Sequence, residues 1–471
     1  MSIETPDRSD DAFGPEVLLK SLQAAIPDGL TRSWVIALSG GGDSGALLAA
    51  AALLASHNRS LRLRALHVNH ALQSAAAEFE AAARVQAQTW QLPLQVLHVQ
   101  VGDASGQGVE AAAREARYRA LAEAIAPQEV VLTAHHRDDQ AETVLLQLLR
   151  GAGVDGVCAM PLCVGLGRGL HVRPCLGVTR AALQSFAQGL GLAFVDDPMN
   201  GDLRFERAYL RQVLNLPLEA RWPRWTRTLA RSAGHFAQAK EVLDEVASAD
   251  WAAARRGSAL TVSGLATLSA ARQALLLRHW LKQLGFRVPN ARRLTSLRAM
   301  LPLGPSASPE VRWPGVVVFR HDGCLWAASP WSPWPQSPVV IQPGQSVTIP
   351  DLGCVALKMA DSPAQAGQIS SGVSGLTLKR REGGERLQLT RAGQRRAVKD
   401  LLREARVPGP MRDCLPFLWL DGRCVGVLLP QGLWLDISVR ADVHEAGWTL
   451  NWHDLPVSLY TTFIEAVNAL P

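Results

Sequence analysis

Six consecutive residues, Ser39-Gly40-Gly41-Gly42-Asp43-Ser44, constrain this chain more than any others. They follow the apolar run Trp34-Val35-Ile36-Ala37-Leu38 and precede Gly45-Ala46-Leu47-Leu48-Ala49-Ala50-Ala51-Ala52. The pattern is strand, glycine loop, helix. Without a Cβ, the loop backbone can turn sharply and approach a ligand closely. The unpaired N–H groups and the dipole of the helix that follows attract an anion. Ser39 and Ser44 add hydroxyl donors, and Asp43 is placed to hold a magnesium ion. A tight turn with an Asp-Ser helix cap would explain part of the pattern. Three glycines in a row between a serine and Asp-Ser favour a phosphate cradle. It is not a Walker A loop, because no lysine is near, and the glycine spacing does not fit Gly-x-Gly-x-x-Gly.

From Arg32 onward, strands and helices alternate. Strands are expected at 34–38, 61–68, 94–99 and 129–133, and helices at 15–26, 78–90, 109–125 and 138–150. Strands separated by amphipathic helices imply right-handed βαβ units and a parallel sheet. Ligands then sit beyond the carboxyl ends of the strands. Residues 39–44, 67–70 and 133–139 all fall there. Beyond Arg211 the texture changes. Long amphipathic helices are expected at 225–256 and 268–301, with a closing strand at 316–320. The proline-rich stretch 329–343 cannot be regular helix, and 362–375 reads as a small, polar linker.

The totals exclude several classes. A chain of 471 residues, 48% of them apolar, holds about two to four domains with sizeable cores. No stretch of about 18 charge-free apolar residues points to a membrane span. The acidic, polar N-terminus lacks the features of a secretory signal. Seven scattered cysteines without a Cys-x-x-Cys pair fit a reducing cytoplasm and indicate neither a zinc site nor a dithiol couple. The net charge is +6, and only six of the 48 basic residues are lysines. An arginine excess fits phosphate recognition and equally a GC-rich genome.

Other segments add chemistry. His67-Val68-Asn69-His70 ends a strand, where it is either turn chemistry or a contact to adenine or ribose. Thr133-Ala134-His135-His136-Arg137-Asp138-Asp139-Gln140-Ala141-Glu142-Thr143 ends another strand and opens a helix. Acidic residues suit a helix N-terminus, but two histidines and three carboxylates exceed what a cap requires. Asp138 or Asp139 shares a helical face with Glu142, and such a pair could hold magnesium or grip the ammonium of an amine. Arg114 and Arg117 share a helix face with Tyr118, either as a solvated basic surface or as a clamp on triphosphate or RNA phosphate. The cluster Lys379, Arg380, Arg381, Arg386, Arg391, Arg395, Arg396, Lys399 and Arg403 reads as an RNA grip.

The loop resembles that of the N-type ATP pyrophosphatases, which cleave ATP between the α and β phosphates. Together the segments resemble one family closely, tRNA(Ile)-lysidine synthetase. Further matches are Arg173-Pro174-Cys175-Leu176-Gly177-Val178-Thr179-Arg180, Asp196-Asp197-Pro198-Met199-Asn200, Arg221-Trp222-Pro223, Lys399-Asp400-Leu401-Leu402-Arg403-Glu404-Ala405 and Gly432-Leu433-Trp434-Leu435-Asp436. Departures are Ala71-Leu72-Gln73, where the family usually has an arginine, and Ala208 in place of its asparagine.

The resemblance implies a Rossmann-like parallel α/β domain of PP-loop ATPase type over 1–215. A helical tRNA-binding domain (216–335), a connector (336–375) and a small α+β tRNA-binding domain (376–471) follow. It implies an ATP- and magnesium-dependent ligase that attaches L-lysine to C2 of the cytidine at the first anticodon position of tRNA(Ile) with a CAU anticodon. The product, lysidine, switches decoding from AUG to AUA. The family allows a homodimer. On this reading Asp43, Arg114, Arg117, His136 and Asp139 are catalytic. Ser39, Gly40, Gly41, Gly42, Asp43, Ser44, His67 and Asn69 bind ATP, and Asp43 and Asp138 hold the metal. His70, Asp139, Glu142, Lys379, Arg380 and Arg381 bind the other substrates. The rival is a PP-loop tRNA thiolase, which would be expected to use catalytic cysteines.

Overall fold

The computed structural model describes residues 12–28, 32–58, 60–70, 76–100, 109–192, 195, 201–304, 309–330, 335, 337–350, 352–360, 368–430, 432–442 and 447–453. Two compact units divide within a long helix, at residues 242 and 243.

In the first unit the elements run α1 (Pro15–Ala25), β1 (Trp34–Ala37), α2 (Gly42–His57), β2 (Leu63–Asn69), α3 (Ala76–Thr89), β3 (Leu94–His98), α4 (Val109–Ala124), β4 (Val130–Leu132), α5 (Arg137–Leu149), α6 (Val154–Val157), β5 (Cys163–Leu166), β6 (Gly169–Val172) and α7 (Arg180–Gly189). The sheet order is β3-β2-β1-β4-β6-β5, parallel except for the β5–β6 pair. Every residue of β1 and β4 is buried, as expected of parallel strands covered on both faces. Trp34, Ile36, Leu38, Val130, Leu132 and Val172 pack with apolar residues of α1, α2, α3 and α7. Val35, Ala37, Leu66 and Val131 pack with Leu121 and Ile125 of α4. Helix α2 is apolar all round, with Ser44 to Ala52 buried without a break, which places it in the core and not on an amphipathic surface.

This order fixes the site. The chain builds outward from β1 to β2 and β3, then returns to lay β4 on the other side of β1. The reversal opens a crevice between the carboxyl ends of β1 and β4. Residues 39–44 leave one of these strands, and 133–139 leave the other. Beyond α7 come α8 (Glu206–Tyr209), a π-helical turn (Leu210–Leu214), α9 (Asn215–Arg221) and α10 (Trp225–Ala254). Asp196 to Asn200 and Ala71 to Gln73 lie outside the described residues.

The second unit has helices at Ala270–Gln283 and Ala291–Ala299 beside a five-stranded sheet that includes Glu310–Trp313, Val316–His321 and Cys324–Ala328. Only one strand, 316–320, was legible here in the sequence. The others are short or lie beside turns. The stretch expected to connect domains carries strands Val339–Ile341, Ser346–Ile349 and Gly353–Met359. Gly353–Met359 pairs with Gly447–His453, so part of the tail completes a four-stranded sheet. Another five-stranded antiparallel sheet contains Leu376–Lys379, Phe417–Leu420, Arg423–Leu429 and Gly432–Leu435.

One carboxylate ties much of this unit together. Asp436 is 1% exposed. It accepts bonds from the Gln388 amide (2.9 Å), the Ser438 amide (3.1 Å) and hydroxyl (2.6 Å), and the Arg395 and Arg423 guanidinium groups (3.3 Å each). Burial pushes its pKa up, but the Ser438 and Gln388 donors and Arg395 bring it below the ordinary value. Asp436→Ala leaves those donors without their acceptor, and we expect a loss of about 2–3 kcal/mol in urea-induced unfolding.

Candidate active site

The loop after β1 is braced from two sides. Within it, the Ser39 and Ser44 hydroxyls lie 2.9 Å apart, the Ser39 amide donates to Ser44 Oγ (3.1 Å), and Ser44 Oγ donates to the Gly41 carbonyl (3.1 Å). From α3, the Gln86 amide donates to the Gly40 carbonyl at 3.3 Å. Gly40 adopts φ +88°, and a Cβ there would meet the Phe79 carbonyl oxygen at 2.4 Å. Glycine is therefore obligatory at that position, for conformation and for space. Gly41 precedes α2 in an extended conformation, and no side chain caps that helix. The first turn presents backbone N–H groups of the kind that cradle phosphate. The serines meet each other and the loop backbone, so they rigidify the cradle.

At the end of β4, His136 caps α5. Its amide donates to Asp139 Oδ2 (3.1 Å), and the Asp139 amide points at its Nδ1 (3.3 Å), a reciprocal capping box. The same imidazole gathers three carboxylates: Nε2 is 3.7 Å from Asp43 and 3.5 Å from Asp139, and Nδ1 is 3.5 Å from Asp138. Capping and site chemistry thus reside in the same side chains. Burial alone would lower the His136 pKa, but Asp138, Asp139 and Asp43 raise it above the ordinary value. The Asp139 amide can donate to Nδ1 only while that nitrogen carries no proton, whereas an Nδ1–H would face Asp138. Burial raises the Asp43 pKa against the pull of His136 and of Arg180, whose Nε is 3.8 Å away. Asp138 also accepts the Arg180 amide at 2.9 Å. Loop and α5 are brought together as the sequence implies.

What faces Asp139 and Glu142 is visible only in the structure. Arg211, on the π-helical turn, forks onto Glu142 with Nε–Oε1 2.6 Å and Nη2–Oε2 2.9 Å, and its Nη2 also reaches Asp139 at 2.9 Å. Arg207 lies 3.6 Å from both carboxylates and donates to Thr143 Oγ1 at 2.9 Å. Glu142 is 4% exposed and Asp139 8%. Burial raises the Glu142 pKa despite Arg211, whereas His136 and the arginines hold Asp139 low against burial. No spacing rule pairs residues about 70 apart. In the sequence, the stretch Arg207 to Arg211 stands out only through the departure at Ala208, and nothing in it shows what the two arginines face.

A second chamber is basic. Arg117 approaches His67, His70, His135 and His171 closely enough to depress their basicity after burial has done so. Burial lowers the Arg117 pKa too, and Arg114 adds to the effect. Arg114 sits over the Tyr118 ring at 5.2 Å. Thr133 Oγ1 bridges His135 Nδ1 and His171 Nε2, 2.8 Å from each, and the His171 pKa falls to about 3, so both rings are neutral at pH 7. His67 Nδ1 meets the Leu38 carbonyl (2.9 Å), and Asn69 donates to Glu80 (2.9 Å). His70 Nδ1 and Arg173 Nε are buried without hydrogen bonds. His135, from the stretch 133–143, and Arg173, which opens the matching stretch 173–180, join this chamber, as does His171, which was not singled out in the sequence.

Far along the chain, Lys379 is held between Glu382 (2.5 Å) and the face of Trp419 (4.0 Å), while Arg380 is exposed. Among the described residues, no group of three or more His, Cys, Asp and Glu side chains is arranged to hold a metal ion. No described helix is long and apolar enough to cross a membrane.

Comparison with known proteins places this geometry in a class. Residues 16–217 match the PP-loop domain, 260–326 the TilS substrate binding domain and 376–452 the TilS substrate C-terminal domain. A tRNA(Ile)-lysidine synthase of Ralstonia nicotianae is 40% identical over 91% of this chain and 94% of its own length. The enzyme of that name in Pseudomonas aeruginosa is 38% identical over 93% and 98%, and that of Coxiella burnetii 34% over 93% and 96%. The fold and its glycine loop are those of the ATP-dependent PP-loop enzymes. Within that class, the chain belongs to the tRNA(Ile)-lysidine synthase family.

The Gly40 contact gives a direct test of the loop. Gly40→Ala should cost about 2 kcal/mol or more of stability in thermal unfolding and abolish ATP-dependent AMP release, since Phe79 contributes backbone that cannot swing away.

Proposed function

We propose that this protein attaches L-lysine to C2 of the cytidine at the first anticodon position of tRNA(Ile) with a CAU anticodon, using ATP. The observation that carries the reading is the meeting, at one switch point, of a phosphate-type loop with a buried carboxylate pair able to take an ammonium. Membership of the family supplies the name of the reaction.

The chemistry needs two steps. The C2 oxygen attacks the α-phosphorus of ATP and diphosphate leaves. The lysine ε-amine then attacks C2, and AMP departs with the oxygen. In this proposal the Ser39, Gly40, Gly41, Gly42 and Ser44 backbone holds the phosphates. His67 and Asn69, at the end of β2, contact the nucleoside, and Arg114 and Arg117 offset charge on phosphate. His70 belongs to the pocket for the tRNA base. His136 orients Asp43, Asp138 and Asp139. Asp139 and Glu142 bind the lysine ammonium.

In this proposal magnesium falls to Asp43 and Asp138, since that ion needs only one or two protein carboxylates beside substrate phosphates. Bound there, it would neutralise phosphate charge. Lys379, Arg380 and Arg381 meet tRNA phosphates within a domain from about residue 376, after the catalytic domain (1–215), a tRNA-binding middle domain and a connector. The reducing cytoplasm suits the free cysteines. A thiolase reading lacks support, since burial pushes the thiols of Cys163, Cys175, Cys324, Cys414 and Cys424 above their ordinary pKa and away from thiolate.

Incubation with this tRNA, ATP, magnesium and lysine should add the mass of lysine minus water to one cytidine, read by nucleoside mass spectrometry. AMP formation without that adduct would defeat the proposal. Asp43→Ala should lower ATP-to-AMP turnover at least a hundredfold. Arg380→Ala with Arg381→Ala should weaken tRNA binding and reduce the slope of log affinity against log salt by about one to two units.

A further inference from the structure

The ammonium pocket already contains a cation. Asp139 and Glu142 lie one helical turn apart on α5, both buried. Two desolvated carboxylates this close cannot both stay ionised without opposing charge. Arg211 supplies it with the three hydrogen bonds described above. Resting on the lysine-ligating reading, we propose that Arg211 is an internal stand-in for the substrate ammonium, and that lysine binds by exchanging with it.

Three features of this chain fit exchange better than a permanent structural pair. The first is where Arg211 stands. It comes from the π-helical turn Leu210–Leu214, set between α8 and α9. Such turns are rare, are poorly bonded relative to α-helix and recur at functional sites. A register change there moves Arg211 without unpacking the sheet. The second is access. The Arg211 side chain is 27% exposed, so its guanidinium has a route to water that the carboxylates, at 12% and 6%, lack.

The third is the charge balance. Arg207 stands 3.6 Å from both carboxylates and is anchored independently by the Thr143 hydroxyl. When Arg211 leaves, Arg207 and an incoming ammonium still match two carboxylates. With Arg211 still in place the pocket would hold three cations against two anions, which disfavours simple addition. Free arginine, whose guanidinium suits the Glu142 geometry, would carry no ε-amine to the reacting carbon.

Exchange has a measurable cost. A ligand that must displace an internal group binds more weakly by the fraction of protein with the group displaced. In the full-length protein, Arg211→Leu should bind lysine at least about tenfold more tightly by calorimetry. Guanidinium chloride should compete with lysine at lower concentration in this variant than in the wild type, where it must first displace Arg211. Should Arg211→Leu fail to fold by circular dichroism, Arg211→Gln carries the same test, since it keeps a polar side chain without the charge. Unchanged or weaker lysine binding in the folded variant overturns the exchange. A wild-type protein that forms no lysine adduct on the tRNA instead overturns the reading beneath it, so the two failures are distinct.

Discussion

Everything at the head of this sheet depends on neutralising buried carboxylates. Asp43, Asp138, Asp139 and Glu142 converge where β1 and β4 diverge, and an unpaired carboxylate in such a place costs several kcal/mol. Each is matched by a different part of the chain. His136 from the end of β4 stands among three of them, Arg180 at the start of α7 reaches two, and Arg207 and Arg211 cover the rest. The crevice closes only when β1, β4, α5, α7 and the turns after α7 are all in place. Folding and site assembly are therefore one event. A residue such as His136 cannot be sorted into structure or function, because the bond that caps α5 is part of what orients the carboxylates.

The opposite charge is handled in the neighbouring chamber by a different device. Around Arg114, Arg117 and Arg173, burial and mutual repulsion strip protons from the histidines, leaving them neutral among guanidinium groups that cannot lose theirs. The first-unit site is thereby divided into an acidic compartment with built-in cations and a basic one in which Arg114 repels Arg117 and Arg173. Guanidinium groups gathered in this way suit phosphate. An acidic space already matched by guanidinium groups is one for a cationic amine. A ligase joining an amine to a phosphate-activated base needs both, side by side and not mixed.

How much of this could be read in the sequence follows from the range of the interactions. The parallel sheet and the site beyond its strands' carboxyl ends were legible because continuous apolar strands and helix periods are local patterns, and the glycine loop because Gly40 answers to a local φ; the strand order that opens the crevice between β1 and β4 was not. The clustering of 39–44 with 133–139 followed from topology. Arg211 on Glu142 did not, because a contact 69 residues apart between a helix and a π-helical turn leaves no periodic trace. The antiparallel sheets of the second unit were only partly legible. Strands of two to four residues, such as Ile369–Ser370, take their identity from their partners and not from their own composition.

The second unit repeats the theme of charges paired in advance, with looser bonds. Lys379 rests on Glu382, Arg391 on Asp442 and Arg396 on Glu404, all at the surface, where such pairs contribute about 0–1 kcal/mol. Arg395 differs, since its partner Asp436 is sealed in the fold and holds the base of the segment that carries it. An RNA backbone can displace the exposed carboxylates at little cost and gain a charge-assisted contact for each. It cannot displace Asp436 without opening the sheet. The basic segment from Arg386 to Arg396 is therefore fixed at its root by a buried carboxylate and only loosely paired along its surface.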